Sequence, residues 1–236
     1  MSSDSYYKFL DAVDVGRVLI DGTLAISSLG YYRSLEDKEW GLIADRLEGA
    51  SEMTTPKEFV LTEGSPQLDM INDAQVPLFS GKFAHVSGGG KIVMGGVRFL
   101  SVVPGHIFCA SLGDFSELAI YNTQKAARKY NACLRIKSFE GILSRVFETG
   151  IDVATGRRFI DVFDRYNIGS VVYEAPSRSV TEGPMIVATP FRKAPEFAPQ
   201  HEARIHFLAK EGEAPADRLI VKIADPGSLF ELVELK

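Results

Sequence analysis

Residues 201–206 of the chain bring together His201, Glu202, Arg204 and His206. Such groups move protons and hold charge in reactions, so the element that carries them decides what they can do. The alternation in "HEARIHF" reads as a strand, whose successive side chains point to opposite faces. Glu202, Arg204 and His206 then share one face, and Ala203, Ile205 and Phe207 pack into the core on the other. That polar face is either a reactive surface or a charge pair on a half-exposed strand, with Arg204 or Arg192 as the partner of Glu202.

A second constellation lies at "LGYYRSLEDKEWGLIADRLEGA". The rings of Tyr31 and Tyr32 offer stacking faces for a planar ligand, and the Arg33 guanidinium matches phosphate or carboxylate. The plainer reading is a salt-bridged surface segment with tyrosines at the core edge. "SGGGKIVMGG" lacks the spacer of a phosphate loop and has Ile92 where the magnesium-binding hydroxyl belongs, so it reads as a flexible turn. The four histidines are scattered. His201 and His206 fall on opposite strand faces, which gives no metal site. Cys109 and Cys133 sit inside apolar runs and read as free, buried thiols.

The chain has 236 residues, 45% of them apolar and 24% charged, as in a soluble globular protein of one domain. A net charge of −5 gives no global reason to expect nucleic-acid binding. The N-terminal "MSSDSYYKFLDAVD" has no apolar signal core, and no apolar run reaches the ~20 residues that span a bilayer. A cytoplasmic protein without a membrane partner is expected.

The elements that must position these groups follow from pattern and punctuation. Tyr6–Leu10 is a strand. A helix opens at Asp11, turns Val15, Val18 and Leu19 to one side and stops at Asp21-Gly22; "TLAISSL" is the next strand. Residues 34–81 are a polar excursion with one or two short helices, and strands around glycine turns follow to Val103. "GHIFCASL" and "NACLRIK" are strands. "DFSELAIYNTQKAARKY", opened by Asp114 or Ser116, and "SFEGILSRVFETG", capped by Ser138 and stopped by Gly150, are helices. "GSVVYEA", "ARIHFLAK" and "DRLIVKIA" are late strands. The class is α+β.

Taken in order, these pieces resemble a large bacterial family of domains. Tyr7-Lys8-Phe9, a helix and then "GTLAIS", ending at Ser27, are similar to its opening: a Tyr-Lys-aromatic strand, a helix and G-x-L-x-x-S/T. "FCASLGDFSELAIYNTQKAARKYNACLRI" is similar to its middle, a Cys-x-Ser strand, a helix and an apolar strand. "RKAPEFAPQHEARIHF" is similar to its end, in which Lys and an aromatic precede Glu-x-Glu-aromatic-Arg. The pattern in turn resembles the ADP-ribosyltransferase superfamily, particularly its DarT-like branch. Lys8 stands where those transferases carry His or Arg, Gln200 where the first Glu would be, and "YYRSLEDKEW" has no Asn-Asp-Pro.

The resemblance implies a single ADP-ribosyltransferase-like domain over residues 1–236 with a split mixed or antiparallel central sheet flanked by helices. It sets the Tyr6–Leu10 strand near Glu202 across a cleft. It implies NAD as substrate, no metal, and transfer to a macromolecular acceptor, protein or nucleic acid, or to water, in a toxin or defence setting. Glu202 and Arg204 take the catalytic positions, and Tyr7, Lys8, Ser27, Tyr31, Tyr32 and Arg33 the NAD-binding ones. A non-catalytic nucleotide- or protein-binding module on the same fold is the alternative.

Overall fold

Alternating apolar residues build one antiparallel sheet of nine strands in the computed structural model. The structure describes residues 5–35, 47, 49–54, 59–61, 92–94, 98–126, 129–179, 181–182 and 186–235. Its strands are β1 (Ser5–Leu10), β2 (Thr23–Ser28), β3 (His106–Gly113), β4 (Ala132–Ile136), β5 (Ile151–Asp152), β6 (Phe163–Ser170), β7 (Glu202–Ala209), β8 (Arg218–Lys222) and β9 (Phe230–Val233). They run in the order β9-β4-β1-β3-β2-β8-β5, with β7 also on β3 and β6 outside β7.

Strand β3 has three partners because β1 and β2 share one of its edges. Tyr7 pairs with Ser111 and Ser5 with Gly113, whereas Ser27 pairs with Ile107 and Ser28 with His106. Phe108, Cys109 and Ala110 face the gap between them. The other edge of β3 is taken by β7, from Glu202 opposite Ser111 to Phe207 opposite His106.

One face of the sheet carries the main core. Phe108, Ala110, Ala203, Ile205 and Phe207 pack there with Phe139, Ile142 and Val146 of helix α4 (Phe139–Thr149). Ser138 caps α4 by accepting from the Gly141 amide, and Gly150 ends it. The opposite face holds Tyr7, Phe9 and Cys133 against Leu118 of α3 (Phe115–Ile120). Asp114 caps α3 by accepting from the amides of Ser116 and Glu117. Between β1 and β2 runs α1 (Ala12–Leu19), with Val15, Val18 and Leu19 turned to the core. Gly22 ends that connection at φ +68°, where an added Cβ would lie 2.4 Å from the Ile223 carbonyl oxygen.

Several elements differ from the sequence reading. Tyr31, Tyr32 and Arg33 lie on helix α2 (Leu29–Leu35), because the Ser28 hydroxyl accepts from the Tyr31 amide and starts a helix there. The helix from Phe115 does not run to Tyr130. It loosens into a π turn over Tyr121–Lys125, where Asn122 and Thr123 bond back to the carbonyls of Leu118 and Ala119. The longest late strand before β7 is Phe163–Ser170, which ends on the first two residues of "GSVVYEA"; the rest of that stretch supplies only the short strand Val172–Tyr173. Within 34–81 the described residues form strands Ala50–Thr54 and Phe59–Leu61. The short helices expected there, and the glycine turns near residue 90, lie outside the described residues. No described helix is long and apolar enough to cross a membrane. Neither cysteine is in a disulfide; Cys133 is buried as expected, whereas Cys109 is only partly so. A last short helix, α5 (Phe159–Val162), packs Phe159 on Phe163 with ring centroids 4.4 Å apart.

Candidate functional site

Strand β7 begins abruptly. A 3-10 helix over Pro195–Gln200 delivers the chain to His201, which takes a left-handed conformation at φ 44°, and Glu202 is the first strand residue. The Glu202 amide donates to the Tyr173 hydroxyl oxygen at 2.6 Å, and its carbonyl accepts from the Val171 amide at 2.8 Å. Tyr173 is held in place by a short parallel pairing of Val172–Tyr173 with Arg192–Lys193. That pairing also sets Lys193 over the carboxylate.

Both oxygens of Glu202 are engaged. Lys193 Nζ donates to Oε1 at 2.6 Å, and Arg204 Nε and Nη2 donate to Oε2 at 2.8 and 2.6 Å. Lys193 is fixed further by Gln200 Oε1 at 2.7 Å and by the Phe197 ring, whose centroid lies 4.6 Å away. Arg204 donates its other Nη to the Pro190 carbonyl. The side chains are deeply set, Glu202 at 13% exposure, Lys193 at 4% and Arg204 at 1%. Burial alone would raise the Glu202 pKa, but the guanidinium and the ammonium outweigh it and hold the carboxyl well below its usual range. Glu202 is therefore a fixed negative charge. Its partners are Arg204 and Lys193, whereas Arg192 pairs with Glu174 at 2.7 Å.

The polar face of β7 is thus not half exposed. His206 is buried, with Nε2 2.9 Å from the Pro104 carbonyl oxygen and Nδ1 without a partner. Burial lowers its pKa and that of His106, so both rings are neutral and serve packing.

Two cavities meet at this place. A small one of about 140 Å³ reaches Glu202, Arg204, Lys193, Tyr7 and Lys8. A larger one of about 770 Å³ fills the gap between β1 and β2 under α1. Lys8, Phe9, Tyr32 and Tyr130 line both. Lys8 leaves β1 on the Phe108 side, opposite Tyr7. Its ammonium lies 5.1 Å from the Phe108 ring centroid and donates to the Cys109 carbonyl at 2.7 Å, inside the gap.

The sequence candidates divide accordingly. Tyr7, Lys8, Tyr32, Glu202 and Arg204 gather around the small cavity, and Ser27, Tyr31 and Tyr32 around the large one. The Tyr31 and Tyr32 rings meet edge to face at 5.9 Å. Arg33 lines neither cavity; its guanidinium lies over Gly30 near Ser28. Lys193 and Tyr173 are site residues that spacing alone passes over. The one available signal is "RKAPEFAPQHEAR", where Lys193 and Phe197 fill the Lys and aromatic positions of the bacterial pattern. A carboxylate so held can accept a ligand hydroxyl and oppose positive charge, with aromatic walls for a planar group beside it. No protein-family model, curated protein or solved structure matches the chain.

Proposed function

We propose that the chain is an NAD-dependent ADP-ribosyltransferase or NAD glycohydrolase on an ADP-ribosyltransferase-like fold, with Glu202 as the carboxylate that holds the nicotinamide ribose. The observation that carries this reading is the buried, ionised Glu202 on the wall of the small cavity, which shares Lys8, Phe9, Tyr32 and Tyr130 with the larger one. In the reaction the bond between ribose C1 and the nicotinamide nitrogen breaks, and its electron pair leaves with nicotinamide. Positive charge spreads over C1 and the ring oxygen, as in glycoside cleavage. A carboxylate bonded to the ribose 2′-hydroxyl stabilises that charge, and water or an acceptor nucleophile then attacks C1. Arg204 and Lys193 keep Glu202 charged and aimed. Tyr7 and Tyr32 offer walls for the leaving ring.

One observation favours the second reading, a non-catalytic nucleotide-binding module on the same fold. Lys193 and Arg204 already neutralise the carboxylate, which weakens its hold on a developing cation. The two readings part in one experiment, in which full-length protein is incubated with NAD, with and without cell lysate, and free nicotinamide is measured. Release that is lost in Glu202→Gln supports the enzyme. Calorimetric NAD binding without release supports the module, and neither binding nor release removes NAD from the account.

A further inference from the structure

Lys8 is the basic group whose setting the carboxylate chemistry leaves unexplained. Among the described residues its ammonium has one hydrogen-bond acceptor, the Cys109 carbonyl, and no carboxylate within ion-pair distance, and it lies against the Phe108 ring. It stands on the wall common to both cavities, so ligand in either one reaches it. Strand β1 pairs with β4 through Lys8 opposite Leu134, which fixes the backbone beneath it.

We propose that Lys8 is a carbonyl-capture site, whose amine condenses with the open-chain aldehyde of a ribosyl phosphate lodged in the larger cavity. The Nζ lone pair adds to the aldehyde carbon. The carbonyl oxygen gains two protons, taken from nitrogen, and departs as water, leaving one carbon–nitrogen double bond. No oxidant or other reactant is needed. A neutral amine can still donate one N–H to the Cys109 carbonyl and keep its lone pair for the attack. Burial lowers the Lys8 pKa, with Cys109 and Glu202 drawing it part of the way back. Each unit of such lowering raises the neutral fraction about tenfold at neutral pH.

ADP-ribose released from NAD carries a free C1 that opens to this aldehyde, so the natural ligand rests on the function proposed above. The test does not. Full-length protein is incubated with ADP-ribose, or with ribose 5-phosphate, and sodium cyanoborohydride, which reduces the imine to a stable amine. Peptide mass mapping locates the adduct, and a urea-unfolded sample serves as reference. Lys8 is expected to carry more label than any other lysine in the folded protein, and to lose that preference when unfolded. Lys8→Arg keeps the charge and should abolish the adduct. Labelling spread evenly over the lysines, or absent from Lys8, overturns the proposal. Adduct from ribose 5-phosphate but not ADP-ribose keeps the site and rejects ADP-ribose as its ligand. Adduct from added ADP-ribose with no nicotinamide release from NAD keeps the site and rejects the enzyme. Nicotinamide release with no Lys8 adduct does the reverse.

Discussion

Tyr7 and Glu202 are both register partners of Ser111, one from each edge of β3. Directly opposed residues share a sheet face, so the aromatic ring of the first strand and the carboxylate of a late one lie in a single row. This is closer than a cleft between separate sheet halves would bring them. The gap in the sheet instead opens beside β3, next to Lys8.

The first prediction concerns Glu202→Gln. In the enzyme reading NAD turnover falls on the order of 10²–10³-fold, as when one electrostatic stabiliser is removed. Stability falls too, because Arg204 and Lys193 stay buried without their counter-charge. Nicotinamide release must therefore be normalised to folded protein, measured by circular dichroism on the same sample. A mutant of undiminished activity takes Glu202 out of the chemistry.

Neighbouring cations should contribute unequally. Lys193→Met strips Glu202 Oε1 of its donor in a buried setting, a kind of break that costs about 3–5 kcal/mol. Arg192→Ala breaks a pair whose acid, Glu174, is 52% exposed, and such surface pairs contribute about 0–1 kcal/mol. Urea unfolding of the two variants measures the contrast. Equal losses would mean that Lys193 is no more integral than its neighbour.

What can be read from the chain divides along the faces of β7. Ala203, Ile205 and Phe207 declare their core side by alternation alone. Arg204 and His206 look like solvent-facing residues because the residues that cover them come from elsewhere: the Pro190 carbonyl bonds Arg204 and the Phe191 ring meets His206 at 6.4 Å. Burial of a polar face is a tertiary fact with no local period. Caps at Asp114 and Ser138 are legible because their hydrogen bonds are local. Strand β6 hides for the reverse reason: its "DRYNIG" stretch is largely exposed, so it lacks the apolar pattern by which a strand is recognised. Lys193 owes its position to a two-residue pairing with Tyr173, too short to leave a sequence signature.

Tyr173→Phe removes the hydroxyl that accepts from the Glu202 amide. A part-buried N–H left without its acceptor costs about 1–3 kcal/mol, and the start of β7 loosens with it. Amide hydrogen exchange at Glu202 should quicken in the variant. Unchanged protection there would show that the hydroxyl does not hold the strand end.

Acid should unfold the protein in two stages. His206 and His106 have pKa values lowered by burial, so the unfolded chain binds more protons than the folded one below the ordinary imidazole range, about 6.5. Stability is then full above that pH and declines as pH falls through it. Glu202 is also depressed, held down by Arg204 and Lys193 against its burial. Its contribution is present above the ordinary carboxylate range, about 4.3, and is lost as pH falls through its folded value. Melting temperature measured from pH 8 to pH 3 should fall first through the histidine window and again through the carboxylate window. In His206→Leu the first decline shrinks while the second remains, since the orphaned Nδ1 is gone and Glu202 keeps its partners. In Glu202→Gln the second shrinks. A profile that is flat between pH 7 and 5 in the wild type would mean that neither buried ring resists protonation.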